Sequence, residues 1–189
     1  MRSSFGKVAL LMGVGIFATF GARAEEPAPL DVVITYDALQ ANIVPGNNFW
    51  MQGGSVQLHD QFWRGLGVVA DISGLHTGKV HGTGVGLSLV TATFGPRYTF
   101  PFAHRRYAFF AQVLAGEAEG FDSVFPTGNG AQDSADGLAL KIGGGMNLHL
   151  SRHLAVRVFE ADWLRTQLPN GTTGVQNNLR MGAGLGFKF

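Results

Sequence analysis

The sequence predicts an all-β protein, a closed eight-stranded antiparallel transmembrane β-barrel preceded by a signal peptide, and three observations lead there. The first is the segment Leu179-Arg-Met-Gly-Ala-Gly-Leu-Gly-Phe-Lys-Phe189. Leu179, Met181, Ala183, Leu185, Phe187 and Phe189 share one parity, and Arg180, Gly182, Gly184, Gly186 and Lys188 share the other. Successive side chains of a strand point to opposite faces, so one face is wholly apolar and the other is glycine or cation. Such a strand suits a wall with hydrocarbon on one side and a lumen on the other. The second observation is composition: charged residues make up 14% of the chain, where a soluble domain carries ~25%. The third is that, beyond the N-terminal segment, no apolar run approaches the ~20 residues of a transmembrane helix, and no window holds a 3.6-residue period. Scarce charge, no spanning helix and alternating strands together call for a membrane barrel.

The N-terminus has the three parts of an export signal in order: basic Arg2 and Lys7, an apolar run from Val8 to Phe20, and Ala22-Arg-Ala24 before Glu25. The run is too short to span a bilayer as a helix, so residues 1–24 are read as a cleaved signal peptide and 25–189 as one barrel domain. With no cysteine in the chain, disulfides and a lipoprotein anchor are excluded. A net charge of +1 without a basic run gives no attraction to nucleic acid. No cofactor is expected.

Strand candidates follow in order. Residues 31–41 place Ile34, Tyr36 and Ala38 on one face; 49–58 carry Trp50, Val56 and Leu58; 63–72 turn Leu66, Val68, Ala70 and Ile72 outward. In the fourth, 84–100, Val85, Leu87 and Leu89 are odd but Phe94, Tyr98 and Phe100 even, which predicts a β-bulge near Val90 to Ala92 that resets the outward face. The fifth, 107–117, is apolar on both faces and its orientation stays open. The sixth, 137–149, sends Leu138, Leu140, Ile142, Met146 and Leu148 out and Lys141, Gly143, Gly145, Asn147 and His149 in. The seventh spans 154–166 and the eighth 178–189. Short turns are expected near 59–62, 101–106 and 150–153, and longer loops near 42–48, 73–82, 118–136 and 167–177, the alternation of an outer-membrane barrel with its short turns periplasmic. Lipid cannot hydrogen-bond a bare strand edge, so the barrel must close.

The inward faces hold the candidate site. On the seventh strand Arg157 is odd while Glu160 and Asp162 are even, so the three share a face only if a bulge falls at Val158-Phe159. That bulge would turn Phe159, Ala161 and Trp163 to lipid. Arg180, Lys141 and Arg97 would reach the same lumen, and the expected polar network is Arg97, Lys141, Arg157, Glu160, Asp162 and Arg180. An eight-stranded barrel is just wide enough to be filled by side chains, and buried charges need partners, so the charges would pair and plug it.

Catalytic and metal readings are weaker. His149-Leu-Ser151 with Glu160 downstream has the H-x-S spacing of outer-membrane lipid A deacylases, but it falls at a periplasmic turn, away from acyl chains in the outer leaflet, and a capped turn explains it as well. His76, His81 and Asp71 have no cysteine nearby and read as loop residues rather than zinc ligands. Gly82-Thr-Gly84-Val-Gly86 has no following helix to receive phosphate; its glycines are expected to face the lumen.

Phe62-Trp-Arg-Gly-Leu-Gly-Val-Val-Ala-Asp-Ile-Ser-Gly-Leu-His76, Gly95-Pro-Arg-Tyr98 and Gly171 with Asn177-Asn-Leu-Arg180 resemble outer-membrane β-barrel domain proteins of the OmpA/OmpX-like, porin-family group, in versions found in acidobacterial-type Gram-negative bacteria. The resemblance covers nearly all of the chain after residue 24. It implies that Ala183, Leu185, Phe187 and Phe189 form the signal read by the barrel assembly machinery, with periplasmic chaperones as further partners in biogenesis. No peptidoglycan-binding domain follows, so anchoring is not implied. The function expected is an integral outer-membrane barrel in the lipids of that membrane, with a structural and surface-presenting role in envelope integrity or adhesion. The 118–136 loop is its contact surface for an extracellular partner. The alternatives are a narrow pore for small solutes, a lipid-modifying enzyme, and a secreted lipocalin-like barrel, which would need apolar residues on the lumen face.

Overall fold

The computed structural model describes residues 30–44, 47–80, 84–102, 106–127, 130–171 and 173–189; the expected signal peptide at 1–24 lies outside them. The strands are β1 Leu30–Val44, β2 Asn47–Trp63, β3 Leu66–Thr77, β4 Leu87–Phe102, β5 Tyr107–Phe121, β6 Phe125–Thr127, β7 Gly130–Gln132, β8 Ala135–His149, β9 Leu154–Thr166 and β10 Gln176–Lys188. Eight of them close a barrel in the order β1-β10-β9-β8-β5-β4-β3-β2, and β6 with β7 forms a separate hairpin. Every pairing is antiparallel, and the seam runs from Asp31 opposite Lys188 to Gln40 opposite Leu179. Both ends of the described chain therefore lie at one rim, with the connections 64–65, 103–106 and 150–153.

Alternation sorts the side chains. Ile34, Tyr36, Val56, Leu58, Ile72, Phe94, Val113, Ile142, Leu179, Met181 and Leu185 are exposed on the outer wall. Aromatic rings collect toward the rim that bears the termini, where Phe62, Trp63, Phe100, Phe102, Phe109 and Phe187 are exposed. Tyr98 and Phe100 meet edge-on at 4.5 Å, and Phe102 and Phe109 at 6.4 Å. Trp50 and Trp163 stand toward the other rim. Burying one large apolar side chain is worth about 1.5–3 kcal/mol. A wall carrying this many is strongly unfavourable against water.

Several expectations need correction. The first short turn is not at 59–62: β2 continues through Asp60 and Gln61 to Trp63, and the chain reverses at Arg64 and Gly65, with φ of 37° and 94°. Two central residues with positive φ make the tight hairpin turn that matches strand twist, and glycine at the second position suits it. The bulge expected at Val90 to Ala92 is absent. The β3–β4 register runs unbroken from Leu66 opposite Tyr98 to Thr77 opposite Leu87, and Leu87 and Leu89 simply face inward with Thr91, Thr93 and Arg97. Gly84 and Gly86 precede β4 rather than lining the lumen, and Gly82 lies outside the described residues.

Leu87 and Leu89 point inward because the lumen is not polar throughout. At the rim away from the termini, Leu39, Phe49, Met51, Leu75, Val80, Leu87, Leu89, Leu164 and Leu168 form a buried apolar cluster. Phe125, carried on the β6–β7 hairpin within the expected 118–136 loop, inserts into it. Gly120 makes the room: a Cβ there would stand 2.6 Å from the Phe125 ring. On β5 the open orientation resolves with Phe110, Gln112 and Leu114 inward and Phe109, Ala111 and Val113 outward.

Candidate functional site: a buried ion network in the lumen

Midway along the barrel the lumen is filled with charge. On β9 one extra residue is inserted at Val158–Phe159, where the register shifts against both β10 and β8. Below it Arg157 faces inward; above it Glu160 and Asp162 do, while Phe159, Ala161 and Trp163 face out. Arg97 on β4, Lys141 on β8 and Arg180 on β10 also point inward, each at 2% exposure or less. Asp37 on β1 and Asp71 on β3 complete the set, both fully buried. The buried cations Arg97, Lys141, Arg157 and Arg180 are thus matched one for one by the carboxylates Asp37, Asp71, Glu160 and Asp162. An unpaired buried charge costs several kcal/mol, so such equality is what a water-poor interior requires.

Arg180 is the hub. Its Nη2 lies 3.1 Å from Asp37 Oδ2 and 3.6 Å from Glu160 Oε1, and its Nη1 3.4 Å from Asp71 Oδ2 and 3.5 Å from Asp162 Oδ2. Nη2 also donates to Ser55 Oγ at 2.8 Å. Lys141 pairs with Asp71 rather than with Glu160 or Asp162. Arg157 Nη1 pairs with Glu160 Oε2 at 2.6 Å, and its Nε donates to Asn147 Oδ1 at 3.0 Å. Arg97 makes no ion pair among the described residues; its Nε donates to Gln112 Oε1 at 3.1 Å. The guanidinium carbons of Arg97 and Arg157 sit 4.2 Å and 4.5 Å from the centre of the Phe110 ring. A ring face attracts a cation electrostatically, the more so when water is excluded.

Two glutamines join the opposite charges. Gln57 Oε1 accepts from Arg97 and Arg157, while its Nε2 donates to Asp71 Oδ2 at 2.8 Å and Glu160 Oε1 at 2.7 Å. Gln112 works the same way, accepting from Arg97 and donating to Glu160 Oε1 at 3.1 Å and Asp162 Oδ1 at 3.0 Å. An amide has an acceptor at one end and donors at the other, so each glutamine faces cations on one side and carboxylates on the other.

Glycine explains how eight strands enclose so many long side chains. One hydrogen-bonded row runs Arg97–Gln112–Gly143–Asp162–Arg180, another Phe110–Gly145–Glu160–Gly182–Asp37. A Cβ at Gly143 would lie 2.3 Å from Asp162 Oδ1, at Gly145 2.8 Å from the Phe110 ring, and at Gly182 2.2 Å from Asp37 Oδ1. Small residues beside large ones relieve crowding in a narrow barrel.

The inward parities of the six expected residues were readable from their strands. Asp37, Asp71, Gln57 and Gln112 were missed, although three of them carried the same signal. Asp37 lies between outward Tyr36 and Ala38, Gln57 between Val56 and Leu58, and Asp71 between Ala70 and Ile72. Its place near His76 and His81 in the sequence draws Asp71 toward a metal reading instead. His76 Nδ1 is hydrogen-bonded to Ser88 Oγ at 2.9 Å, His81 lies outside the described residues, and no group of three His, Cys, Asp or Glu able to hold a metal occurs among the described ones. Nor does the structure assemble His149, Ser151 and Glu160. Ser151 Oγ accepts from the backbone N of His153 and Leu154 at 3.3 and 3.1 Å, capping the turn, and Glu160 is committed to Arg157 in the lumen. At the terminal rim a cavity of about 20 Å³, lined by Asp31, Val33, Asn147, His149, Phe187 and Lys188, has room for about one water.

No family model matches the chain, and no curated protein sequence does. Solved structures do match. The attachment invasion locus protein of Yersinia pestis, Ail, is 15% identical, with 87% of this chain and 100% of that one covered and a TM-score of 0.58. Neisserial surface protein A is 11% identical, covering 85% and 97%, with a TM-score of 0.65. The outer membrane protein OprG from Pseudomonas aeruginosa is 10% identical, covering 87% and 97%, with a TM-score of 0.55. At these identities the likeness is one of architecture: the chain has the fold of small outer-membrane barrels.

Proposed function

We propose that the protein is an integral outer-membrane barrel whose lumen is closed by its own side chains and whose work is structural and surface-presenting, in envelope integrity or adhesion. One observation carries the reading. The wall is apolar all the way round while eight charges are held inside in equal numbers of each sign. A protein for aqueous solution places these groups the other way about, whereas hydrocarbon demands this arrangement. The fold shared with other outer-membrane barrels supports the location. Export would use residues 1–24 as a cleaved signal, and insertion would use the assembly machinery and periplasmic chaperones, with Phe189 and its parity mates as the recognised strand.

Surface presentation is assigned to the loop between β5 and β8, whose β6–β7 hairpin is held by Phe125 and leaves Val124 and Pro126 exposed. An anchored hairpin presents a defined surface at lower entropic cost than a free loop. The pore reading is disfavoured because the midplane ions and the apolar cluster above them fill successive layers. The apolar upper lumen removes one argument against a ligand-binding barrel, but Phe125 and Leu168 already occupy that space. The decisive experiment compares gel mobility of boiled and unboiled protein from a membrane fraction. A faster unboiled band is expected, because a closed barrel resists detergent until heated. Material that stays monodisperse in buffer without surfactant would overturn the proposal.

A further inference from the structure

We propose that the rim bearing the chain termini is a cationic ring that holds anionic phospholipid headgroups of the adjoining leaflet. The inference rests on the membrane-spanning reading above, with that rim facing the periplasm. Going round the barrel, the strands pair at this rim as β2–β3, β4–β5, β8–β9 and β10–β1. Each pair carries a cation: Arg64 in the first turn, Arg106 in the second, Arg152 in the third and Lys188 at the seam. The three arginines are exposed and make no ion pair among the described residues, whereas Lys188 Nζ reaches Asp31 Oδ2 at 3.6 Å. Among the described residues the acidic side chains at this end are Asp60, exposed on the β2 wall, and Asp31, which also faces His59 at 3.5 Å. The opposite rim has the reverse sign, with Glu117, Glu119, Asp122, Asp133 and Asp136 exposed against Lys79 and Arg165.

Two further features point to lipid as the occupant. Two of the arginines stand beside the aromatic belt: Arg64 follows Phe62 and Trp63, and Arg106 sits in the connection between Phe102 and Tyr107; Lys188 is turned to the lumen side, where it lines a small cavity with Asp31. Outer-membrane barrels carry girdles of aromatic residues at the membrane interfaces, and cationic side chains beside such a girdle reach into the phosphate layer. The three exposed arginines also sit in three different strand pairs around the barrel instead of being gathered on one side. A circumferential ring matches an annulus of lipid, where a folded partner would contact one arc. Arg presents a planar fork that pairs with phosphate oxygens two at a time.

The test places the full mature chain in nanodiscs containing zwitterionic phosphatidylcholine with a minority of phosphatidylglycerol, then counts lipids retained by the released protein in native mass spectrometry. Phosphatidylglycerol should be enriched over its bulk share. The variant Arg64→Asn/Arg106→Gln/Arg152→Gln should lose most of that enrichment at low salt, since each arginine removed weakens the hold on the headgroup at its own site by about fivefold; asparagine is used at position 64 because it tolerates the positive φ. Most of the wild-type enrichment should vanish at 1 M salt, where screening acts within about 3 Å. Retention of the two lipids in their bulk ratio by heat-modifiable wild-type barrel would overturn this proposal and leave the membrane reading intact. Equal enrichment in the folded variant would overturn it too. Failure of the wild type to insert in either lipid would overturn both.

Discussion

Glu160 is the most informative residue to perturb, because it joins both halves of the lumen network. Its Oε2 receives Arg157 Nη1 at 2.6 Å, and its Oε1 receives Gln57 Nε2 at 2.7 Å and Gln112 Nε2 at 3.1 Å, with Arg180 Nη2 at 3.6 Å. Glu160→Gln keeps the volume and removes the charge, leaving four buried cations against three carboxylates. It also places a donor amide against groups that themselves donate. Breaking a buried pair by removing one partner costs about 3–5 kcal/mol, which lowers the folding constant by a factor of roughly 10² to 10³ or somewhat more. With a denaturant slope of about 1–3 kcal/mol per molar urea, the unfolding midpoint should fall by roughly 1–5 M. The assay is urea unfolding in lipid vesicles, followed by tryptophan fluorescence and by loss of the heat-modifiable band. The companion Glu160→Gln/Arg157→Gln restores the balance and should recover a large part of the loss. An unshifted midpoint for the single variant, or a double variant weaker than the single by the full cost of Arg157→Gln, would refute the claim that the charges are held by mutual pairing.

The other predictions test neighbouring links. Gly145→Val should lower the stability read by the same midpoint by about 1–3 kcal/mol of overpacking, since the first added carbon would run into the Phe159 backbone carbonyl and lie 2.8 Å from the Phe110 ring; an unchanged value would deny that glycine is required by this close approach. Deleting Phe189 should reduce the barrel assembled in the outer membrane without blocking export, read by comparing periplasmic and membrane pools, and equal membrane yield would contradict its role in recognition. Conductance across a planar bilayer should not rise above baseline for the wild type, and stable unitary steps would refute a closed lumen. His149→Ala should leave the acylation of outer-membrane lipid unchanged in mass spectrometry.

Much of the architecture could be read from alternation alone, because lipid and lumen impose opposite chemistry on adjacent residues. The β8 pattern of Leu138, Leu140 and Ile142 against Lys141 and Gly143 is unambiguous for that reason. Alternation fails where the lumen itself becomes apolar. Leu87 and Leu89 have the pattern of outward residues thrown out of phase by a bulge, yet they belong to the buried cluster under Phe125. On β9 the opposite held: charges cannot face hydrocarbon, so the parity break between Arg157 and Glu160 pointed to Val158–Phe159, where the register does shift. The turn at Arg64–Gly65 was misplaced because Asp60 and Gln61 are polar, yet they extend β2 at the rim, where the wall leaves the hydrocarbon. The bridging glutamines carry no charge to draw notice, and on β5, with apolar residues on both faces, Gln112 had no contrast to stand against.

The extra residue in β9 also governs which length changes the chain can absorb. Removing Phe159 would restore strict two-residue repetition and leave Arg157 and Glu160 both inward, so the bulge is where β9 can shed a residue; removing Ala161 with the bulge in place would instead turn over Glu160 and every position below it, sending Arg157 into hydrocarbon and Val156 into the lumen. An arginine at the bilayer midplane costs about 2–4 kcal/mol, and Glu160 would leave Gln57, Gln112 and Arg180 behind at the same stroke. Heritable insertions and deletions in such a chain should therefore accumulate in the connections and at Val158–Phe159, while the rest of β9 keeps its residue count even as the identity of nearly every residue in it drifts.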